Sequence, residues 1–401
     1  MASGNKTDSI NNGQREFSLV VGGPLFQILR RARLCNDAMT LLHWRVIVLT
    51  SICWVPPFVL SAIQGDLLGG KVAVPFLLDF ELHIRFLIAL PMLLFAEVVV
   101  HRRMRQIVSG FLARHLISDR QMPRFDAALE SALRLRNSLL AEVILVAFVY
   151  IVGIAIIWRQ HTALDVPTWY ANLVSTGWES SPAGLWFAFV SLPIFQFLLI
   201  RWYFRILVWA QFLWRISRFE LSLMPAHPDR SGGLGFLSGT VYAFLPLLFA
   251  HGTMLAGLIA GRIFHGGAVL TDFKLEVAAL TIFLVCLVEG PLLLFTVPLE
   301  QAKRRGGREY GNLAGRYIRV FDAKWLEGNA PADASLIGSA DIQSLADLGN
   351  SLQIVSSMRI TLISKESLFI LVGAVIAPIV PLFVTIVPME VIFKKLLGVL
   401  F

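Results

Sequence analysis

Seven apolar stretches, each close to the roughly 20 residues a helix needs to cross a hydrocarbon layer, constrain this chain more than anything else in it. They lie at about 42–63, 83–100, 138–158, 185–209, 237–261, 276–298 and 367–389. In hydrocarbon every backbone N–H and C=O must be satisfied internally, which leaves helices or closed barrels. A barrel would show short alternating strands. Continuous runs such as "SLLAEVILVAFVYIVGIAIIW" (138–158) and "EVAALTIFLVCLVEGPLLLFTVP" (276–298) predict an all-α, multi-span transmembrane bundle of about seven spans. The composition agrees: 56% of the 401 residues are hydrophobic and 15% charged, against about a quarter charged in soluble domains.

The basic residues are placed unevenly. Residues 101–137 carry eight arginines: Arg102, Arg103, Arg105, Arg114, Arg120, Arg124, Arg134 and Arg136. Residues 299–366 carry nine Lys and Arg, beginning with "KRRGGR" at 303–308. The connection 64–82 holds only Lys71, and 159–184 only Arg159. Basic connections stay in the cytoplasm, so the N-terminus is expected there. The net charge of +8 then reflects loops facing anionic lipid headgroups. No basic run carries an RNA- or DNA-binding motif, so nucleic acid is not expected as a partner. Cys35, Cys53 and Cys286 form no CxxC and no zinc spacing. Neither a metal nor another cofactor is expected. Residues 1–41 lack the apolar core and cleavage site of a signal peptide.

These patterns divide the chain into four parts. Residues 1–41 form a cytoplasmic segment, in which "PLFQILRRARLC" (24–35) reads as an interfacial amphipathic helix or as a lead-in to the first span. Residues 42–298 form a six-span bundle. Residues 299–366 form a cytoplasmic helical hairpin, with a basic helix over 308–328 and a second over 339–360. Ser339 is the candidate N-cap, and Ile342, Leu345, Leu348 and Leu352 make an apolar stripe. Residues 367–401 form a last span and tail. Pro378 and Pro381 leave open a re-entrant hairpin that would return Lys394 and Lys395 to the basic side.

Ionisable groups at membrane depth are costly, and they are the natural candidates for a site. Glu97 and Glu142 share a depth near the basic end, where neighbouring arginines are their expected partners. Arg201 and Arg205, in "LLIRWYFRILVW", are four apart and share a helix face. Glu289, in "LVEGPLL", lies mid-span, and Pro291 clashes with the Leu287 carbonyl and is expected to kink the helix there. Arg201 is at a compatible depth to be its counter-ion. That pair reads as a structural ion pair or as a transport or gating site, or the two side chains do not meet. His251, in "LFAHGTM", reads as bonded to a neighbouring helix or as a proton relay. Gln196 reads as interhelical glue. Prolines interrupt six of the seven blocks: Pro56 and Pro57, Pro91, Pro193, Pro246, Pro291, and Pro378 with Pro381.

The most polar stretch between spans is "HPDRSGGLGF" (227–236). It matches neither GxGxxG nor GxxxxGK[ST], and Ser231 is not in a GxSxG elbow. Its glycines and the start of the fifth span offer free amides beside Arg230. Arg230, Ser231, Gly232 and Gly233 are therefore the candidate anion-binding residues, with an ordinary turn as the alternative.

Together with "REYGNLAGRYIRVFDAKW", "GSADIQSLADLGNS" and "PLFVTIVPMEVIFKKLLGVLF", this motif is similar to a family of uncharacterised bacterial integral membrane proteins. The resemblance covers about 220 to the C-terminus, and more weakly the front. It implies a bacterial inner-membrane location and carries no activity or residue role. Three functions are expected to compete. The first is a transporter or channel with intramembrane polar residues. The second is a non-catalytic scaffold that binds a partner through 299–366; the partners open to this chain are a cytoplasmic protein or, in a homo-oligomer, its own copies. The third is a membrane enzyme acting on lipid phosphate, which requires His227, Asp229 and Ser231 to converge.

Overall fold

The computed structural model describes residues 17–31, 41–69, 72–158, 168–174, 177–331, 335–336 and 338–385. Cys35, Lys71, Arg159, Pro388, Lys394 and Lys395 lie outside them. The chain is an all-α bundle. Six helices are long and apolar enough to cross a membrane, and a bent pair makes a seventh if counted as one span.

The elements follow the apolar blocks. A short helix, α1 (Pro24–Arg31), precedes the first span, α2 (Leu42–Gln64). Gly65 stops α2 in the left-handed region that glycine adopts without a Cβ penalty. The second span, α3, runs Phe80–Ala113, well past the residue-100 boundary. It carries Arg102, Arg103 and Arg105 on a helix, where the sequence suggested a loop. Next comes α4 (Met122–Arg136), also helical. It buries Phe125, Ala128, Leu129 and Ala132, an i, i+3, i+4, i+7 stripe of the kind an amphipathic helix lays on a core.

The third block forms α5 (Leu139–Phe148) and a wider π-helical stretch, Val149–Trp158. It meets the preceding helix at a 42° bend. A β-ribbon that no pattern foretold, β1 (Ala171–Val174) with β2 (Gly177–Ser180), follows at the other end of the bundle. Then come α6 (Pro182–Ser217), α7 (Gly235–Gly266) and the 57-residue α8 (Leu270–Leu326). α9 (Ala340–Ser356) folds back on α8, and α10 (Lys365–Thr385) is the last span. α10 continues through Pro378 and Pro381 as a 3-10 stretch to Thr385, so the expected alternative of a chain reversal at these prolines is not what forms.

Pro56, Pro57 and Pro246 sit inside regular α-helix, but other span prolines mark departures from α geometry. π stretches end just before Pro91 and Pro193, and 3-10 stretches contain Pro291, Pro378 and Pro381. A proline ring cannot fit over the carbonyl four residues back, so the helix widens or tightens around it.

α7 is the central helix: 72% of its most apolar window is buried, against 17% for α2 and α10. Its Gly252 lets the α10 backbone approach at Val375. The outer helices instead expose Ile63, Leu140, Ile151 and Phe369, the surface expected where lipid replaces water as solvent.

In the outer hairpin, Leu345, Leu348 and Leu352 are half-buried and Ile342 is exposed. Ser339 stands at the N-cap of α9 with extended backbone, but its hydroxyl makes no capping hydrogen bond. The tip is held instead by Asp341, which accepts from Lys324 Nζ at 2.7 Å and Trp325 Nε1 at 2.9 Å.

Candidate functional site

Four spans bring their charges to one place at the basic end, and α1 adds a backbone amide. Glu97 on α3 is 3% exposed, and three guanidiniums surround it. Arg205 Nη2 lies 2.7 Å from Glu97 Oε1, Arg201 Nη1 lies 3.9 Å from the same oxygen, and Arg45 of α2 holds Oε2. Arg201 Nη2 reaches Glu142 Oε1 of α5 at 3.6 Å. Glu142 Oε2 accepts the backbone N–H of Leu25 at 2.8 Å. That amide sits in the first turn of α1, where the positive end of the helix dipole favours a carboxylate. The Arg205 guanidinium stacks 4.7 Å from the Trp202 ring, and Trp202 Nε1 donates to the Leu93 carbonyl at 3.2 Å.

The network also fastens the chain before α1. Arg136 donates to the Ser18 carbonyl, and Ser18 Oγ lies 2.8 Å from His101 Nδ1. Phe17 packs against Phe212 with ring centroids 5.2 Å apart. Burying a charge is costly unless it is paired. Here three arginines share two carboxylates, so the patch keeps a formal excess of one positive charge.

The geometry therefore reassigns Arg201. Arg201 and Arg205 share a face as expected, but Arg201 serves Glu97 and Glu142, and it is not the counter-ion of Glu289. Arg45, a member of the network, drew no attention in the sequence because its place near the end of a span reads as an ordinary flank.

Glu289 stands elsewhere. It is the last residue of regular helix in α8 before the 3-10 stretch Gly290–Phe295. It is 2% exposed, and neither of its carboxyl oxygens has a hydrogen-bond partner among the described residues. The polar side chain beside it is Ser367, in the first turn of α10, whose hydroxyl donates to the Ser364 carbonyl at 2.8 Å. Ser367 also lines a polar cleft of about 810 Å³ at the basic end, with Arg114, Asp229, Tyr242, Arg359 and Lys365. Glu289 thus lies beside the wall of an open cleft.

His251 on α7 is bonded at both ring nitrogens. Nδ1 lies 2.7 Å from the Leu247 carbonyl, and Nε2 lies 2.7 Å from the Tyr203 hydroxyl of α6. A carbonyl only accepts, so Nδ1 carries the proton. This is the helix-to-helix link. Gln196 faces Gly153 of the π stretch, where a side chain would overlap its amide.

The 227–236 turn is closed on itself. Asp229 accepts N–H groups from Ser231 at 2.8 Å, Gly233 at 3.1 Å and Gly235 at 2.9 Å. Arg230, Gly232 and Gly233 all have positive φ, which curls these amides around the carboxylate. Two of the four candidate anion-binding residues, Ser231 and Gly233, thereby give their amides to Asp229, and the Arg230 side chain is exposed. Burial pushes the Asp229 carboxyl up, but the three amides and neighbouring His227 outweigh it and hold the group below its ordinary range. His227 Nδ1 lies 2.9 Å from Asp229 Oδ1, while Ser231 Oγ donates to the Asp229 carbonyl at 3.3 Å. The aspartate, and not the histidine, is the middle member, so His227 is not positioned to activate Ser231.

Comparison of the chain with protein-family models, with curated proteins and with solved structures finds no match.

Proposed function

We propose that this is a bacterial inner-membrane protein, basic end in the cytoplasm, acting as a transporter or channel with Glu289 as its interior site. The asymmetry of Lys and Arg supports the orientation. One observation carries the activity: Glu289 is a buried carboxyl without a hydrogen-bond partner, at a proline break, beside Ser367 on the wall of a polar cleft. A carboxyl group takes up a proton or a small cation, and helix breaks at membrane depth are where such sites are built. The Arg45–Glu97–Arg205 network is ion-paired within itself and joins the spans of that end.

The experiment is flux through purified protein in liposomes, with an internal pH dye and imposed proton or sodium gradients. Wild type is expected to conduct, and Glu289→Gln to lose about a hundredfold or more of the flux, the usual scale for removing a positioned acid–base group. Flux unchanged by Glu289→Gln would remove the site. The scaffold reading keeps one favourable observation, the exposure of Val320 and Leu326 on the outer part of α8.

A further inference from the structure

A second cleft, of about 890 Å³, opens between the basic ends of α6 and α8. Its α6 side is Trp214, Arg218 and the exposed Glu220 at the rim. Its α8 side is a graded ladder: Leu293, Leu294 and Val297, then Gln301, then Arg305 and Arg308. These positions recur at helical spacing and so share one face. From Leu293 to Arg308 the rise is about 22 Å, and from Val297 to Arg305 about 12 Å. Along that line the chemistry passes from apolar through amide to guanidinium.

The apolar end is open to the side. Leu293 is 50% and Val297 60% exposed. Trp214, 48% exposed, carries the Arg218 guanidinium 5.3 Å above its ring, as tryptophans do at the headgroup level. Arg305 gives one N–H to the Leu223 carbonyl at 3.2 Å. Among the described residues no carboxylate is within ion-pair distance of Arg218, Arg305 or Arg308.

We infer that this cleft binds one anionic phospholipid, with its acyl chain along Leu293, Leu294 and Val297, its ester region at Gln301, and its phosphate between Arg218, Arg305 and Arg308. A free phosphate would use the arginines and leave the apolar half of the ladder without a purpose. A basic pocket between spans, opening sideways to the bilayer, suits a lipid headgroup. The inference is independent of Glu289, which lies outside this cleft.

Native mass spectrometry of the full chain, loaded with phosphatidylglycerol or phosphatidylcholine, tests it. Wild type is expected to retain phosphatidylglycerol preferentially. The pair Arg305→Gln/Arg308→Gln should cut that preference roughly thirtyfold, the combined effect of two arginines at a membrane surface. The pair Arg305→Lys/Arg308→Lys should keep most of it, and Arg316→Gln/Arg319→Gln, further along the same helix, all of it. Three results would each overturn the assignment: equal retention of the two lipids, equal loss in the Lys and Gln pairs, or displacement of phosphatidylglycerol by equimolar inorganic phosphate.

Discussion

Glu97 and Glu289 are both carboxyls inside apolar helices, both almost wholly buried, and their surroundings are opposite. Glu97 has three arginines from two other helices around it. Glu289 has apolar helix around it, a proline break after it and one serine beside it. The difference separates two uses of intramembrane charge. An ion-pair network ties helices together, because removing its shared carboxylate strands the arginines around it. A carboxyl outside any ion pair can be exchanged for a neutral amide at little cost to the fold.

That contrast can be broken by stability measurements on detergent-solubilised protein. The largest effect is expected for Glu97→Gln, which leaves Arg45, Arg201 and Arg205 facing one another. The cost is about 3–5 kcal/mol, read as a large fall in the unfolding temperature. A small fall would mean that the arginines find water or lipid phosphate.

Asp229→Ala comes next. It tests a carboxylate held mainly by amides, with one arginine, Arg114, 3.7 Å away. Losing three hydrogen bonds to a charged acceptor at a half-exposed turn should cost about 1–3 kcal/mol. Because the folded carboxyl titrates below its unfolded value, its contribution is present above the ordinary carboxylate range and disappears as pH falls through the folded value. The wild-type advantage over Asp229→Ala should therefore shrink on acidification, in parallel thermal scans from neutral pH downward. An advantage that grows in acid would reverse the sign of the shift.

The smallest effect belongs to Glu289→Gln. Stability should stay within about 1 kcal/mol of wild type or rise, since no hydrogen bond is lost. A loss comparable to that of Glu97→Gln would place Glu289 in a structural network after all.

The spans were legible because their signal is local: a bilayer-length apolar run needs no knowledge of its neighbours. The eight arginines of 101–137 misled for the same reason. They outweighed the buried stripe of Phe125, Ala128, Leu129 and Ala132, which was present in the sequence at helical spacing. Pairing is different. Whether Arg201 meets Glu142 or Glu289 depends on which helices adjoin α6, and neither depth nor spacing reports that. The closure of the 227–236 turn was half legible. Its glycines announced a bend, but an aspartate positioned to use the same amides as an external anion would is recognised only once the chain is folded.

α8 is continuous from within the bundle to its outer tip, where Lys324 and Trp325 are clasped to α9 by Asp341. From Pro291 to Leu326 that is an arm of about 52 Å. A change of about 5° at the proline break would sweep the tip through roughly 4–5 Å, enough to make or unmake a surface contact. Any such tilt would have to carry along the contacts that pin the near half of the arm, Lys303 to the Met358 carbonyl and Arg305 to the Leu223 carbonyl.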